Sequence, residues 1–563
     1  MATPIPNQDQ SAEAFAIAKL VPLSPEAEQA FDDVVEFPDL SEHHRSYIRA
    51  ERAKSRDNSP VYSSEDTDAE ESAVVPERFV RLWTGHYSLS ATSFAHSRIP
   101  GAGWRVGRGT SRFGEADRGV DILLIRPGRK SEDVSKANAL IRFHEKSGVL
   151  MLVGLSDIHP ITYDNGEDDV TTLRSGESHV LYRRKNLFSF GNLRFKLEYE
   201  DFDDTRLAAV TRHRDRFFYE KGIPSPHPSL SMIPRKNHIL RGSAILHTTF
   251  AMGGFGYVHA AVGTRTGDPL AIKDMWIKSA ERAKDPQFMA ELDVSQGFKN
   301  TPGLLQALEC QCEHLHQTYP CGKYPDQFFM TFPLALKDFS KQNWSGVKLD
   351  IIAKLLRGPL QGLESLHNAG YMHRDVSPSN ILLMSTSPPQ AILCDFGKAV
   401  KAPKAFETTI GPIPFLAPEV GEPNGYTNKI DIWGVGIVCC WILFPNAISD
   451  HITKKKRPDT KFVATMLGML SEYKAKGKQE KSFAHLIEGM LRWRVENRYT
   501  LELPSVFRAD IERPHVLLGS EMLIRILPQA SEALQHPFLQ PPSTPALDAD
   551  EGSLKHKSRV DKT

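Results

Sequence analysis

The sequence has no net charge, few cysteines and no apolar run long enough for a membrane. Its 69 lysine and arginine residues balance 69 aspartate and glutamate residues, so no overall basic field favours binding of nucleic acid. All six cysteines lie in the C-terminal half without the pattern of a secreted disulfide scaffold, which favours an intracellular compartment, nuclear or cytoplasmic. The longest apolar run, 432–444, is too short to cross a bilayer, and the first residues are polar. We therefore expect no signal segment, no membrane partner and no direct nucleic-acid partner.

The length of 563 residues exceeds what one hydrophobic core supports, so two or more domains are expected. Acidic residues outnumber basic ones in 1–78, which predicts a disordered acidic segment. Residues 201–238 are charged and then proline-rich, which predicts a linker, and the polar residues 541–563 predict a disordered tail. Folded domains are therefore expected at 79–200 and 239–540.

Residues 79–200 contain short apolar segments separated by turn residues. Segments such as 120–125, 139–143 and 149–153 alternate with clusters of Gly, Asp, Asn and Ser. Regular short strands separated by such clusters of turn residues predict an all-β sandwich. The later range mixes strand and helix patterns, including helical apolar spacing over 351–369.

One stretch of the later range carries most of the recognisable chemistry. Residues 373–380 read H-R-D-V-S-P-S-N, and 395–397 read D-F-G after two apolar runs that predict a hairpin. A carboxylate such as Asp375 can accept the proton of an attacking hydroxyl. An amide and a second carboxylate, Asn380 and Asp395, can hold magnesium ions beside a triphosphate.

These motifs resemble those of eukaryotic protein kinases, and the resemblance extends over about 240–540. It implies an α+β bilobal fold, ATP as co-substrate, Mg²⁺ as cofactor and proteins as substrates. Asp375 would orient the substrate hydroxyl, while Asn380 and Asp395 would hold the metal. The implied enzyme is a serine/threonine kinase, a transferase that moves the γ-phosphate of Mg-ATP to protein hydroxyls.

The resemblance also implies a nucleotide-binding site. Residues 251–258 fit the Gly-rich loop with alanine at its first glycine position, and Lys273 ends a short strand further on. Lys273 would hold the α- and β-phosphates and pair with Glu291, with Glu281 as the alternative partner. Met330 would border the adenine pocket. The expected nucleotide-binding residues are Ala251, Met252, Gly253, Gly254, Phe255, Gly256, Tyr257, Val258, Ala271, Lys273 and Met330.

An activation segment follows D-F-G and ends at 417–419, which read A-P-E. Thr408 is the expected phosphorylation site, with Thr409 as the alternative, and a phosphate there could pair with Arg374. Arg498 is the expected structural partner of Glu419.

Two positions depart from the serine/threonine kinase pattern. Ser377 stands where that pattern has a lysine two residues after the catalytic aspartate, and Pro412 stands where it has a threonine. Two hypotheses therefore remain, an active serine/threonine kinase or a phosphopeptide-binding scaffold with a weak or inactive kinase domain.

The motifs of 79–200 resemble a forkhead-associated (FHA) domain, a phosphothreonine-binding sandwich. The resemblance rests on Gly107-Arg108, the loop 134–139 and the closing segment 190–195. It implies that Arg108 and Ser135 bind the phosphate of phosphothreonine-containing proteins. The combined order resembles FHA-containing checkpoint serine/threonine kinases.

Three further patterns have two interpretations each. Thr67 lies in an acidic stretch that is either a solvated tail or, once phosphorylated, a ligand for self-association through the FHA-like domain. The cysteines and histidines of 310–321 suggest zinc, but alternation on a strand is preferred. The basic run 454–458 is either a nuclear-localisation signal or an exposed loop.

Overall fold

A computed structural model describes residues 15–53, 81–95, 97, 103–109, 119–126, 133–164, 170–232, 239–252, 256–312, 324, 326–408, 410–453, 457–500 and 533–540. The chain forms two compact units. The first consists of Met1–Ala283 with Ala307–Leu334, and the second of Lys284–Gln306 with Ala335–Thr563. The boundary between the units falls inside 239–540, the range expected for the second folded domain. The strands of that range up to Leu334 belong to the first unit, together with the N-terminal residues.

The first unit begins with a β-rich domain built from two sheets. A seven-stranded sheet has the order β2-β3-β1-β12-β11-β8-β9, and a five-stranded sheet has the order β10-β7-β6-β4-β5. All pairings are antiparallel except β4 with β5. The strands are β1 (Ala16–Pro22), β2 (Ile48–Arg52), β3 (Trp83–Ser90), β4 (Trp104–Gly107), β5 (Ile122–Leu123), β6 (Ala139–Phe143), β7 (Leu150–Gly154), β8 (Ile161–Asp164), β9 (Val170–Leu173), β10 (Ser178–Val180), β11 (Lys185–Phe190) and β12 (Leu193–Tyr199).

Alternating burial explains how the two sheets share one core. Along β12, Leu193, Phe195, Leu197 and Tyr199 are buried while the residues between them are more exposed. Trp104 of the other sheet is fully buried in the same apolar cluster. The β-rich character expected for 79–200 is therefore present.

The expectation of disorder across 1–78 is wrong for the part that the structure describes. Strand β1 lies inside the seven-stranded sheet, paired with β3 and β12. Helix α1 (Pro25–Val35) is capped by Ser24 and buries Phe31, and helix α2 (Glu42–Tyr47) follows it. The acidic residues of α1, among them the exposed Glu26, conceal in the overall composition the apolar face that the helix buries.

The expected linker at 201–238 also contains a folded element. Helix α4 (Asp204–Glu220) buries Val210, Phe217 and Phe218 against the β-rich core, and the short helix α3 (Ala91–Ala95) contacts it. The three apolar residues share one helical face, whereas the charged residues between them suggested a solvated linker. The prediction missed this face because it used composition rather than periodicity.

A six-stranded antiparallel sheet completes the first unit, in the order β13-β14-β15-β16-β18-β17. Its strands are β13 (Leu240–Arg241), β14 (Ala244–Met252), β15 (Gly256–Gly263), β16 (Pro269–Ile277), β17 (Glu309–Cys312) and β18 (Asp326–Pro333). Strand β17 carries Cys310 and Cys312, as the strand interpretation of that segment predicts.

The β-rich domain contacts this sheet directly. The backbone N–H of Val180 donates to the carbonyl of Thr264 at 2.7 Å, and Ser178 Oγ donates to the carbonyl of Arg265 at 2.6 Å. An apolar cluster joins the two sides, with Val180 and Met151 on one and Val262 on the other. The two parts of the unit therefore share buried surface.

The second unit is mainly helical and packs around one large apolar cluster. Helix α6 has the apolar spacing that the sequence predicts and buries Leu356, Leu360 and Leu363. Gly358 allows α6 to approach strand β22, since a Cβ there would lie 2.0 Å from the Ala391 carbonyl oxygen. The elements are α5 (Pro286–Gly297), β19 (Lys337–Asp338), α6 (Leu349–Asn368), β20 (Tyr371–Met372), β21 (Ile381–Thr386), β22 (Pro389–Leu393), β23 (Val400–Lys401), α7 (Lys429–Leu443), α8 (Pro445–Thr453), α9 (Thr460–Lys474) and α10 (Lys478–Met490).

Helix α7 contains most of the longest apolar run and is buried along nearly its whole length as a core helix. Within the described ranges, none of the helices has the length and apolar character needed to span a membrane.

Candidate active site

The loop that begins at His373 is held by a buried carboxylate of helix α7. Asp431 accepts hydrogen bonds from the backbone N–H groups of His373 at 2.9 Å and Arg374 at 2.8 Å. His367 donates to the same carboxylate at 2.8 Å. Burial alone would raise the pKa of Asp431, but these bonds and the nearby histidines lower it below its ordinary value. Sequence reasoning did not predict this contact between Asp431 and the loop.

Arg374 joins the loop to the segment that follows D-F-G. Its backbone has φ of 65°, an uncommon conformation for a residue other than glycine. Arg374 Nε donates to the Lys398 carbonyl at 2.6 Å, and Nη1 pairs with Glu407 Oε2 at 3.0 Å. Tyr426 donates its hydroxyl proton to the Glu407 carbonyl at 2.9 Å. Arg374, predicted to bind a phosphate, is therefore paired with a glutamate.

Asp375 lies on this loop with its side chain 11% exposed. Its backbone N–H donates to His373 Nδ1 at 3.2 Å, and Lys398 Nζ lies 3.4 Å from Asp375 Oδ2. Burial raises the pKa of the Asp375 carboxyl; Lys398 and His373 oppose this shift, and Asp395 adds to it. A carboxylate with a raised pKa beside a cation is suited to accept a proton.

Asn380 and Asp395 are brought together by the backbone. The Cys394 N–H donates to the Asn380 carbonyl at 2.9 Å, at the end of the hairpin that the sequence predicts between β21 and β22. Asn380 Nδ2 donates to the Asp375 carbonyl at 2.8 Å, which leaves the amide oxygen for a cation. Asp395 is exposed and has φ of 62°.

These two oxygen donors fit a magnesium ion that also binds phosphate oxygens, which typically uses one or two protein ligands. Among the residues that the structure describes, no group of three or more His, Cys, Asp or Glu side chains could hold a metal ion without other ligands. The donor set therefore fits a metal that arrives with a nucleotide.

Ser377 and Pro412, the two residues that differ from the serine/threonine kinase pattern, lie near Asp375. Ser377 is buried, and its hydroxyl lies 2.9 Å from Ser379 Oγ. Pro412 and Asp375 line one small cavity of about 10 Å³, room for about one water molecule. Gly411 lies against the loop, since a Cβ there would be 2.9 Å from the Arg374 carbonyl oxygen.

Phe396 of D-F-G is buried, and its ring centroid lies 5.5 Å from that of His373. Glu291, on helix α5 of the same unit, is 4% exposed and faces this turn. A Cβ on Gly397 would lie 3.8 Å from Glu291 Oε2. Glu291 therefore lies beside the D-F-G turn.

In the first unit, the sheet register gathers the residues expected to bind nucleotide. Ala251 pairs with Val258, Val258 with Lys273, and Lys273 with Met330, so one row crosses four strands. Direct cross-strand partners share a face of the sheet. Ala271 lies two residues before Lys273 and shares that face.

Gly256 and Tyr257 begin β15, and Met252 is 76% exposed. Gly253, Gly254 and Phe255 lie outside the described residues. Lys273 and Glu291 belong to different units, so their pairing stays a prediction.

The end of the activation segment is held by two arginines. Arg498 is 1% exposed and pairs with Glu419, with 2.5 Å between Nη1 and Oε1, as the sequence predicts. Arg457 Nη2 donates to the carbonyls of Ala417 at 2.9 Å and Pro418 at 2.7 Å. Sequence reasoning placed Arg457 in a basic run and missed this contact.

Thr408 is exposed, while Thr409 and the lysines of the basic run lie outside the described residues. Thr408 Cγ2 and Arg457 Nη1 lie 3.5 and 3.7 Å from the position of a Cβ on Gly421. Arg457 is therefore the cation that this geometry places near Thr408, because Arg374 is paired with Glu407.

A second polar cluster lies in the β-rich domain. Arg108 Nε donates to the Val134 carbonyl at 2.9 Å, and Ser135 Oγ lies 2.7 Å from Ser156 Oγ. The buried Asn138 donates to the His159 carbonyl at 3.0 Å. The loops that carry Arg108 and Ser135 are therefore adjacent and fixed by hydrogen bonds.

Comparison with known proteins agrees with the geometry of the second unit. Residues 247–509 match the family model of the protein kinase domain. Human serine/threonine-protein kinase D3 is 30% identical over 193 residues, which cover 33% of this chain and 20% of the relative. Serine/threonine-protein kinase TAO3 of Xenopus laevis is 32% identical over 195 residues, which cover 33% and 20%.

Rat serine/threonine-protein kinase D2 is 30% identical over 193 residues, with 33% and 21% covered. The chain thus matches about a fifth of the length of these relatives. Residues 247–509 are therefore similar to a protein kinase domain, and the relatives are named as serine/threonine-protein kinases.

Proposed function

We propose that the chain transfers the γ-phosphate of ATP to serine and threonine hydroxyls of proteins. The observation that carries the proposal is the arrangement of Asp375, Asn380 and Asp395: Asn380 Nδ2 donates to the Asp375 carbonyl, and the N–H of Cys394, the residue before Asp395, donates to the Asn380 carbonyl. The acceptor class is supported by the relatives, which are named as serine/threonine kinases. ATP as the phosphate donor is the co-substrate that the kinase domain implies.

The chain's own residues have defined tasks in this reaction. Asp375 accepts the hydrogen bond of the substrate hydroxyl and receives its proton as the new bond forms. Asn380 and Asp395 would hold Mg²⁺, which supplies neutralisation of triphosphate charge when it is bound. Asp431 holds the loop so that these groups keep their positions.

The test is phosphate transfer by the purified full-length chain, given Mg-ATP and a generic protein substrate. Asp375→Ala should lower the rate by at least about 10²-fold, since general-base contributions are of that order. Glu422→Gln, an exposed acidic residue of the same unit, is the matched control and should keep the rate. If the wild type transfers no more phosphate than Asp375→Ala, the chain is instead a scaffold with an inactive kinase domain.

A second candidate function is phosphothreonine binding by the β-rich domain, as in an FHA-like domain. The adjacent loops that carry Arg108 and Ser135 support it, because a guanidinium and a hydroxyl on fixed loops can bind a phosphate. The comparisons gave no FHA match. Arg108→Ala should abolish binding of a phosphothreonine peptide, while the exposed control Arg174→Ala keeps it. Equal binding by Arg108→Ala and the wild type would contradict the proposal.

Three finer proposals rest on the same chain. Thr408 is proposed as a phosphorylation site, with Arg457 rather than Arg374 as the nearby cation. Phosphorylated Thr67 is proposed as a ligand for self-association; that residue lies outside the described ranges. A nuclear or cytoplasmic location is proposed from the cysteine distribution and the basic run 454–458.

A further inference from the structure

The proposed catalytic loop lacks a cation at the position where the serine/threonine kinase pattern has a lysine. Ser377 occupies that position, is buried and has its hydroxyl 2.9 Å from Ser379 Oγ. Serine cannot supply a positive charge beside Asp375. An anionic base that receives a proton close to a triphosphate is favoured when a fixed cation reduces the repulsion between the two anions.

A lysine from another part of the chain lies where that charge is needed. Lys398 follows D-F-G directly, and its Nζ lies 3.4 Å from Asp375 Oδ2. Its backbone is fixed as well, because Arg374 Nε donates to the Lys398 carbonyl at 2.6 Å. Arg374 is the residue next to Asp375, so the loop contacts both the backbone carbonyl and the side-chain ammonium group of Lys398.

The environment makes this pair different from an ordinary surface ion pair. Exposed pairs contribute little because water screens them and because two mobile side chains must be ordered. Here the Asp375 side chain is 11% exposed and that of Lys398 is 36% exposed. Lys398 is therefore a cation held next to a largely buried carboxylate.

We propose that Lys398 is a positioning residue that takes the place of the catalytic-loop lysine, because its ion pair with Asp375 orients that carboxylate toward the substrate hydroxyl. This inference rests on the proposed kinase function. It explains how Ser377 can occur in an active enzyme, since the positive charge comes from the segment after D-F-G instead of from the loop.

The transfer balances with Lys398 unchanged. A bond forms between the substrate hydroxyl oxygen and the γ-phosphorus, and the bond from that phosphorus to the β–γ bridging oxygen breaks. The electron pair leaves on ADP, and the hydroxyl proton goes to Asp375. Lys398 keeps its proton throughout and acts through Asp375.

The test compares full-length Lys398→Met, Lys398→Arg and the control Lys404→Met, an exposed lysine of the same segment. In phosphate transfer from Mg-ATP to a generic protein substrate, Lys398→Met should lower kcat by about 10- to 100-fold with little change in KM for ATP. Lys398→Arg should restore most of kcat, and Lys404→Met should match the wild type.

The outcomes separate the inference from the proposed kinase function. If the wild type is inactive, the kinase function falls, and the inference that rests on it falls as well. If the wild type is active while Lys398→Met keeps its kcat, the inference is wrong and the kinase function stands. A loss of kcat that Lys398→Arg does not restore, or an equal loss in Lys404→Met, also overturns the inference.

Discussion

At the scale of single residues, the second unit buries a carboxyl group that is not part of the proposed site. Glu364 on helix α6 is 6% exposed, and its Oε1 has no hydrogen-bond partner in the described part of the chain. Burial raises its pKa from 4.5 to about 7. Because the folded-state pKa lies above the unfolded one, the neutral form is compatible with the fold. Stability is then lost as the pH rises through about 7.

Replacing the Glu364 carboxyl by an amide should remove this pH-dependent loss of stability. Glu364→Gln is expected to raise the unfolding temperature relative to the wild type above pH 7 by a few degrees, since about 1 kcal/mol shifts it by about 2–4 °C in a domain of this size. Near pH 5 the two proteins should differ less. Thermal unfolding followed by circular dichroism at both pH values, with the exposed Glu472→Gln as control, measures this. A difference that does not depend on pH would contradict the assignment to ionisation of Glu364.

Single residues also show what the sequence could and could not predict of the site. Asp375, Asn380 and Asp395 are fixed by one loop and one hairpin, so local spacing was enough to place them together. Lys398 reaches Asp375 only because the chain turns back after D-F-G, and no local pattern indicates such a return. Arg457 contacts the A-P-E segment from a distant loop and was missed for the same reason.

At the scale of elements, the activation segment is held to the catalytic loop by an ion pair that needs no phosphate. Arg374 Nη1 pairs with Glu407, and the Tyr426 hydroxyl donates to the Glu407 carbonyl. A carboxylate at this position supplies part of the negative charge that a phosphate would bring. The segment can thus be ordered while Thr408 is unmodified.

Loss of the Glu407 charge should make the activation segment less well ordered. Glu407→Gln is expected to lower kcat by about two- to fivefold, because the Glu407 side chain is 61% exposed and such pairs contribute up to about 1 kcal/mol. Thr408→Ala should lower kcat less than Glu407→Gln in protein free of phosphate. Steady-state kinetics on protein checked by mass spectrometry, beside Thr465→Ala as an exposed control, gives the comparison. A larger loss in Thr408→Ala would show that phosphate, not Glu407, orders the segment.

Some helices and strands could be predicted from the sequence and others could not, because only some of them have a regular spacing of apolar residues. Helix α6 was recognised because its buried residues recur with helical spacing. Strand β1 lies in a range that is acidic overall, and helix α4 lies in a range rich in charged residues and proline, so composition suggested disorder and a linker. Their apolar residues are nevertheless buried in the core of the β-rich domain.

At the scale of the whole molecule, the first unit joins the β-rich domain to the strands that carry Lys273. Val180 donates from its backbone to Thr264 and shares an apolar cluster with Val262. Because these contacts are buried, a loss of packing in the β-rich domain is expected to destabilise the six-stranded sheet as well. The sequence suggested separate domains joined by a linker, since contacts between distant segments leave no local pattern.

This shared surface predicts a long-range effect on stability. Val180→Ala removes two buried methyl groups and should destabilise the first unit by about 2 kcal/mol. Val170→Ala makes the same chemical change at a side chain that is 59% exposed and should be nearly neutral. Hydrogen exchange measured by mass spectrometry should show faster exchange in β15 for Val180→Ala only. Unchanged exchange there would mean that the two parts of the unit are energetically independent.

The contacts of Asp431 have a consequence for the behaviour of the second unit on heating. Its carboxylate links the first two backbone amides of the catalytic loop to a core helix. The loop is therefore not expected to melt by itself, because release of those amides would remove two hydrogen bonds from a buried anion and leave it with His367. Catalytic geometry and the large apolar core are expected to be lost in one cooperative event, without an earlier stage in which an intact fold carries a disordered loop.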